Sequence, residues 1–133
     1  MKKPKIIVIA DNNILSAVMK ETLTELNCEV DIVKSGHNAL GILKPEKYDL
    51  IFTDIELGDM QGYEVVKSYR QREAQVGKCL HTPILCISSL EGPSHYAKCI
   101  YAGMDEVITN IGIGGREALE KILKKYIKPK NMI

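Results

Sequence analysis

The sequence predicts an α/β fold in which helices cover both faces of a five-stranded parallel sheet. Five short apolar segments alternate strictly with five longer segments of helical period, which is the pattern of a doubly wound sheet. The first and third apolar segments are almost continuously hydrophobic, as expected for central parallel strands that are covered on both faces. An acid ends each of these two segments, Asp11 in the first case and Asp54 in the second.

The predicted strands are short runs of β-branched and other apolar residues between polar or turn residues. The second run alternates acids with Val30, Ile32 and Val33, and the fourth follows Pro83. The predicted strands are residues 5–10, 29–33, 49–53, 84–88 and 106–108.

The predicted helices have apolar residues at spacings of three and four, and most have a recognisable cap or stop. Asn12 or Asn13 should cap the first helix, Pro45 should stop the second, and Gly77 and Gly103 should end the third and fourth. The predicted helices are residues 13–26, 37–43, 62–74, 94–102 and 116–127. The predicted apolar face of the first helix is Ile14, Leu15, Val18, Met19, Leu23 and Leu26. That of the fifth helix is Ala118, Leu119, Ile122, Leu123 and Tyr126.

The length of 133 residues predicts a single domain, residues 1–133, with a core over about residues 5–128 and a frayed tail at residues 129–133. A net charge of +1 argues against direct contact with nucleic acid or a membrane. The five apolar residues before Asp11 are too few for a signal peptide, and no apolar run approaches the roughly 20 residues of a membrane span. We therefore expect a cytoplasmic location.

Asp11 and Asp54 should lie close together, because the carboxyl ends of parallel strands meet at one edge of the sheet, where open α/β folds bind their ligands. An acidic pocket with oxygen ligands suits a hard divalent cation, and such a cation would suit a phosphoryl group. The sequence therefore predicts a metal-assisted phosphate site at this edge.

Cysteine and histidine give no sign of a metal site in the sequence. The four cysteines contain no CxxC pair and are expected to be unmodified thiols, with the thiol at position 86 in the core: Cys28, Cys79, Cys86 and Cys99. The three histidines fall in predicted loops or helix starts, away from metal-ligand spacing with the cysteines, and are expected to be solvated: His37, His81 and His95. The glycine-rich residues 112–115 follow the fifth strand and lack a P-loop lysine, which predicts a plain loop.

Four stretches resemble, in order and spacing, the receiver domains of two-component signalling. They are IIVIADN (residues 6–12), YDLIFTDIELGDMQG (48–62), PILCISS (83–89) and AGMDEVIT (102–109). The resemblance covers essentially the whole chain and is strongest to the receivers of hybrid sensor histidine kinases. It implies a flavodoxin-like fold with strand order 2-1-3-4-5.

The resemblance implies a role for each matched site residue. Asp54 would accept a phosphoryl group from a histidine kinase or a histidine phosphotransfer domain. Asp11, Asp54 and the backbone carbonyl of Glu56 would bind Mg²⁺, and the Ser88 hydroxyl would hydrogen-bond to the phosphoryl group. The chain would then be a phosphoacceptor module and not an independent enzyme, with weak dimerisation as a further expectation.

Four positions depart from the receiver pattern. Ala10 replaces an acid, Val107 an aromatic residue, Asn110 a lysine and Ile111 a proline. Losing one acid together with the lysine leaves the formal charge of the site at −2, as in a complete receiver. The resemblance, with these departures, implies weak Mg²⁺ binding. It also implies a degraded switch, because the residues that couple the phosphoryl group to the far face of the domain are missing.

Two classes of function remain open from the sequence. One is a phosphorylated receiver, favoured by Asp11, Asp54 and Ser88; the other is a phosphorylation-independent pseudo-receiver that binds protein partners, favoured by the departures. A flavin or nucleotide binder is disfavoured, because no glycine-rich or hydroxyl-rich loop follows the first strand. The sequence also leaves open whether the domain acts alone or within a larger kinase.

Overall fold

The sheet has five parallel strands in the order β2-β1-β3-β4-β5, which confirms the predicted fold class and strand order. The structure is a computed structural model that describes residues 3–88, 93–109 and 115–127. The strands are β1 (Lys5–Ile9), β2 (Glu29–Val33), β3 (Leu50–Thr53), β4 (Ile84–Ser88) and β5 (Glu106–Thr109).

A helix follows each strand, so that the chain alternates regularly throughout its described part. The helices are α1 (Asn13–Glu25), α2 (Gly36–Ile42), α3 (Gly62–Val76), α4 (Pro93–Ala102) and α5 (Arg116–Tyr126). Every predicted element is present, with ends that lie within two residues of the prediction. Among the described residues, no helix combines the length and the apolar character needed to cross a membrane. The predicted frayed tail lies outside the described residues.

The predicted helix boundaries are formed by the expected residues. The Asn12 side chain accepts hydrogen bonds from the backbone N–H groups of Ile14 and Leu15, which satisfies two free donors at the start of α1. Gly77 ends α3 with φ 73°, and Gly103 follows α4 with φ 113°. Both values lie in the left-handed region that glycine adopts without steric cost.

Side chains of the central strands alternate between two apolar layers, one on each face of the sheet. The first layer packs strand residues such as Ile7, Ile9 and Ile51 against α2, α3 and α4. The second packs residues such as Val8 and Phe52 against α1 and α5. Burial on both faces explains why β1 and β3 read as continuous hydrophobic runs.

The predicted apolar face of α1 is partly wrong. Ile14 is 79% exposed and Val18 38% exposed, whereas Ser16, Met19 and Leu23 are buried. An α-helix turns about 100° per residue, so the stripe through residues 16, 19 and 23 leaves positions 14 and 18 at its side or behind it. The small Ser16 fits against the sheet and donates a hydrogen bond to the Ala10 carbonyl (3.4 Å).

At the edge of the sheet opposite the strands' carboxyl ends, a polar network replaces apolar packing. The Arg70 guanidinium donates to the carboxylates of Glu73 (2.7 Å) and Asp105 (2.9 Å) and to the carbonyls of Thr82 (2.8 Å) and Gly103 (3.0 Å). Glu73 is only 3% exposed, and its other oxygen accepts the Thr82 N–H (2.7 Å). The buried charge is thus paired and fully hydrogen-bonded.

Candidate functional site

Asp54 lies directly after β3, at the carboxyl edge of the sheet. Its backbone N–H donates to the Ile9 carbonyl (2.8 Å), which continues the pairing of β3 with β1 beyond the last strand residue. The half-buried carboxylate accepts the N–H of Ile55 through Oδ1 (2.7 Å), and the N–H of Glu56 also stabilises it. The strand and the Ile55 amide therefore fix the orientation of the carboxylate.

Asp11 lies at the neighbouring strand end, between a buried residue and a helix cap. Ala10 is fully buried and donates its N–H to the Val33 carbonyl (3.0 Å), while Asn12 caps α1. Asp11 itself is exposed, and its charge raises the pKa of Asp54. The structure therefore brings Asp11 and Asp54 to one edge, as predicted from the strand order.

The pKa of Asp54 is raised above the ordinary value for an aspartate. Burial is the largest cause, and the charges of Glu56 and Asp11 add to it, while the N–H groups of Ile55 and Glu56 oppose it. A cation among these oxygens would remove the repulsion between the acids. The donor set, carboxylates at adjacent strand ends, fits a hard cation such as Mg²⁺.

The loop between β3 and α3 is held tightly against Asp54. Glu56 and Gln61 form an isolated antiparallel bridge, and the Gly62 N–H donates to the Ile55 carbonyl (2.6 Å). A Cβ atom added at Gly62 would overlap the carbonyl oxygen of Asp54. Only glycine therefore allows the first turn of α3 to approach the acid so closely.

Asp59, a further carboxylate of this loop, has a role that was not predicted from the sequence. Asp59 accepts the backbone N–H groups of Gly36 and His37 (both 2.9 Å), at the start of α2. These hydrogen bonds, and the one from the His37 ring, hold the pKa of Asp59 well below its usual range. The turn-rich sequence around Asp59 indicated a loop, but its partners lie more than 20 residues earlier in the chain.

The response regulator receiver domain family matches residues 6–111 of this chain. The chain belongs to the receiver domain family. Hybrid signal transduction histidine kinase L of Dictyostelium discoideum is 33% identical over 130 residues, which cover 96% of this chain and 7% of that kinase. Sensor protein GacS of Pseudomonas syringae pv. syringae is 23% identical over 123 residues, which cover 92% of the chain and 13% of that protein. The receiver therefore spans only a small part of these relatives.

Solved receiver structures have the same fold. A two-component response regulator from Clostridium difficile superposes with a TM-score of 0.83, at 22% identity, over 98% of this receiver and 100% of that chain. The receiver domain of a sensor histidine kinase from Pseudomonas aeruginosa, which has magnesium coordinated in its active-site cleft, superposes with a TM-score of 0.78. It is 25% identical, over 95% of this receiver and 98% of that chain. The predicted family and the predicted likeness to hybrid kinase receivers are confirmed.

The remaining predicted site positions lie at the ends of β4 and β5. Ser88 is the last residue of β4 and pairs in register with Thr109 of β5, and its side chain is outside the described part of the chain. Val107 is half-buried against the apolar layer beneath α2, α3 and α4. Asn110, Ile111 and the glycine-rich residues 112–114 lie outside the described residues.

The expectation of solvated histidines holds for two of the three. The His37 and His81 side chains are 79% and 58% exposed. The third, His95, is half-buried, and its Nε2 atom lies 3.8 Å from the Sγ atom of the buried Cys99. Their spacing of four residues on one helix was the signal that could have predicted this contact.

Proposed function

We propose that this receiver accepts a phosphoryl group on Asp54 from the phosphohistidine of a histidine kinase or a histidine phosphotransfer domain. An Asp54 carboxylate oxygen would attack phosphorus, the P–N bond to imidazole would break, and the leaving imidazole would take a proton. The observation that carries the proposal is the Asp54 carboxylate, held by the N–H of Ile55 at the end of a central strand and influenced by the charge of Asp11.

Asp11, Asp54 and the backbone carbonyl of Glu56 are the proposed ligands of Mg²⁺. The bound cation would offset the negative charge of the carboxylate and the incoming phosphoryl oxygens. The Ser88 hydroxyl is the proposed donor to one of these oxygens. Because Ala10 supplies no second acid after β1, we propose that Mg²⁺ binding is weak.

The proposed cellular location follows from the nature of the phosphoryl donor. Histidine kinases use cytoplasmic ATP, so a receiver that is phosphorylated by one would work in the cytoplasm. The modest net charge of +1 supports a protein partner and no direct contact with nucleic acid. A weak homodimer and a single-domain core over residues 5–128 remain proposals.

A pseudo-receiver that binds partners without phosphorylation is the second candidate. It is favoured by the fully buried methyl group of Ala10, where a complete receiver has an acid, and by Val107, where it has an aromatic residue. Such a domain would keep the fold and lose the chemistry. The two candidates differ in a covalent modification, which can be measured directly.

The deciding experiment is intact mass spectrometry after incubation with phosphoramidate or acetyl phosphate, with and without Mg²⁺. We expect one added phosphoryl group per chain in the presence of Mg²⁺ and none in Asp54→Asn. Glu56→Gln is the matched control, because the proposed ligand at that position is the backbone carbonyl, and it should still be modified. An unmodified wild type beside a complete receiver that reacts under the same conditions would establish the pseudo-receiver.

A further inference from the structure

A cluster of two thiols and an imidazole lies between β4 and α4. Cys86, in the middle of β4, and Cys99, on α4, are both fully buried. His95 precedes Cys99 by one helical turn, so both side chains project from the same face of α4. The two Sγ atoms and a His95 ring nitrogen all lie within 4.8 Å of one another.

The way in which α4 packs distinguishes this cluster from ordinary core thiols. Tyr96 is 53% exposed, Ile100 39% and Tyr101 88%, so the larger apolar side chains of α4 point away from the sheet. The stripe that faces the sheet contains His95 and Cys99. A helix held only by hydrophobic burial would bury the tyrosines and the isoleucine, and its histidine would lie in solvent.

The donor set selects a particular class of cation. Thiolate and imidazole are the ligands of Zn²⁺ and Cu⁺, whereas Mg²⁺ prefers oxygen. Bond lengths of about 2.3 Å to sulfur and 2.0 Å to nitrogen put neighbouring ligand atoms of a tetrahedral site roughly 3.5–3.8 Å apart. The Nε2 atom of His95 is already 3.8 Å from the Cys99 Sγ atom, and the other ligand pairs lie within 4.8 Å, so the side chains would have to approach one another by at most about 1 Å.

A fourth side chain supports the cluster from α3. The Tyr63 ring packs on the apolar layer of that face, and its hydroxyl is close enough to the Cys99 thiol to lower the pKa of that thiol, against the larger effect of burial. Hydrogen bonds to a ligand sulfur orient it and stabilise its thiolate form. Side chains from three elements therefore converge on Cys99.

We propose that Cys86, His95 and Cys99 bind one thiophilic d¹⁰ cation, Zn²⁺ or Cu⁺, which fixes α4 to the centre of the sheet. The site is separate from the Asp11 and Asp54 carboxylates in its ligand chemistry. Because Cys86 and Thr53 are partners in the β3–β4 register, the two sites nevertheless lie on neighbouring strands. Binding expels the thiol protons, so the affinity should fall as the pH is lowered.

The test is titration of reduced, metal-free receiver with Co²⁺ as a spectroscopic probe, followed by displacement with Zn²⁺, and a parallel titration with Cu⁺ against a chelator. We expect one cation per chain, a sulfur-to-cobalt charge-transfer band, and a higher Tm with Zn²⁺ or Cu⁺. The band and the Tm increase should be lost in His95→Gln and Cys99→Ser. The His95→Gln result decides the test, because a substitution at the half-buried His95 should disturb folding less than one at the fully buried Cys86.

Matched controls are available for both residue types. Cys79 is exposed, Cys28 is buried in the opposite apolar layer, and the His81 side chain is 58% exposed. Cys79→Ser, Cys28→Ser and His81→Gln should bind as the wild type does. The proposal is overturned if no stoichiometric binding occurs, if binding survives both His95→Gln and Cys99→Ser, or if Cys79→Ser abolishes it. Tighter binding of either Zn²⁺ or Cu⁺ identifies the preferred cation.

Discussion

The Asp59 carboxylate joins the β3–α3 loop to the start of α2 through His37, whose ring Nδ1 lies 2.7 Å from Oδ2. The same oxygen accepts the His37 backbone N–H. The acid lies at the positive end of the short helix, where negative charge is stabilising. A residue of the loop that follows the proposed phosphoacceptor thus caps a neighbouring helix.

The first prediction is that Asp59→Asn lowers the Tm at neutral pH and flattens its pH dependence. The folded pKa of Asp59 is depressed below the ordinary 3.8, so its stabilisation is complete only above about pH 5 and is lost as the pH falls through 3.8 toward the folded value. Thermal unfolding between pH 6 and 3 measures this. Glu21→Gln, at an exposed position on α1, is the control and should follow the wild type. Equal pH profiles for Asp59→Asn and wild type would contradict the assignment.

The second prediction concerns the contact between α3 and Asp54. Gly62→Ala should cost about 1–3 kcal/mol of unfolding free energy, because the new methyl group meets the rigid Asp54 backbone. It should also slow phosphorylation by phosphoramidate, since the loop must shift. Urea denaturation and intact mass against time measure the two effects.

Gly41→Ala is the control for that substitution. Gly41 is an exposed residue of α2, and a Cβ there meets nothing within 4 Å. The change should stabilise the protein by about 0.5–1 kcal/mol, because alanine is the better helix former. A Gly62→Ala variant as stable as Gly41→Ala would show that the loop accommodates a side chain.

The third prediction is that Ala10→Asp tightens Mg²⁺ binding and destabilises the metal-free protein. The new carboxylate adds an acid beside Asp11 and Asp54, but Ala10 is fully buried, so about 1–3 kcal/mol should be lost without Mg²⁺. Mg²⁺ should restore much of the loss, because it binds only the folded state. Calorimetric titration and thermal unfolding with and without Mg²⁺ test both parts.

Ala10→Asn separates charge from shape. It has nearly the same volume as the aspartate variant, so it should be destabilised similarly but bind Mg²⁺ no more tightly than the wild type. If Ala10→Asp leaves the affinity unchanged, position 10 takes no part in the metal site.

The fourth prediction is that beryllofluoride, which mimics the phosphoryl group at Asp54, changes the backbone only locally. Val107 cannot move between buried and exposed positions as an aromatic ring would, and Asn110 has no charge to follow the phosphoryl group. Amide shifts should be confined to the loops after β1, β3 and β4. The double variant Val107→Tyr, Asn110→Lys should extend them into α4. Large concerted shifts across α4 and α5 in the wild type would show that a two-state switch persists.

Sequence predicted the fold and the meeting of Asp11 and Asp54 at one edge of the sheet, because both depend on regular features. Alternating strands and helices determine the layers, and parallel strands place Asp11 and Asp54 at one edge whatever the details of the loops. The Asn12 cap was predictable for the same reason, since its partners are two and three residues away.

The missed features are contacts between distant residues or small rotations of a helix. Asp59 reaches back more than 20 residues to α2, and Arg70 reaches forward 35 residues to Asp105, so no local pattern indicates either pair. Ser16 is buried in place of Val18 because α1 is rotated by about one residue relative to the predicted apolar face. A broad apolar stripe in the sequence does not determine this rotation. The contact between His95 and Cys99 was visible as a spacing, but its significance depends on Cys86 of another element.

The Arg70 network restricts how α4 can move. Arg70 holds the Gly103 carbonyl just beyond the carboxyl end of α4, and through Asp105 and Thr82 it binds the starts of β5 and β4. These hydrogen bonds therefore anchor the carboxyl end of α4. A displacement of α4 that keeps these hydrogen bonds would be a swing about Gly103, with the largest movement at Pro93, the end nearest the carboxyl edge of the sheet. A cation bound to His95 and Cys99 would act on the part of α4 that moves, so even a weakly held ion could determine how far the helix is displaced.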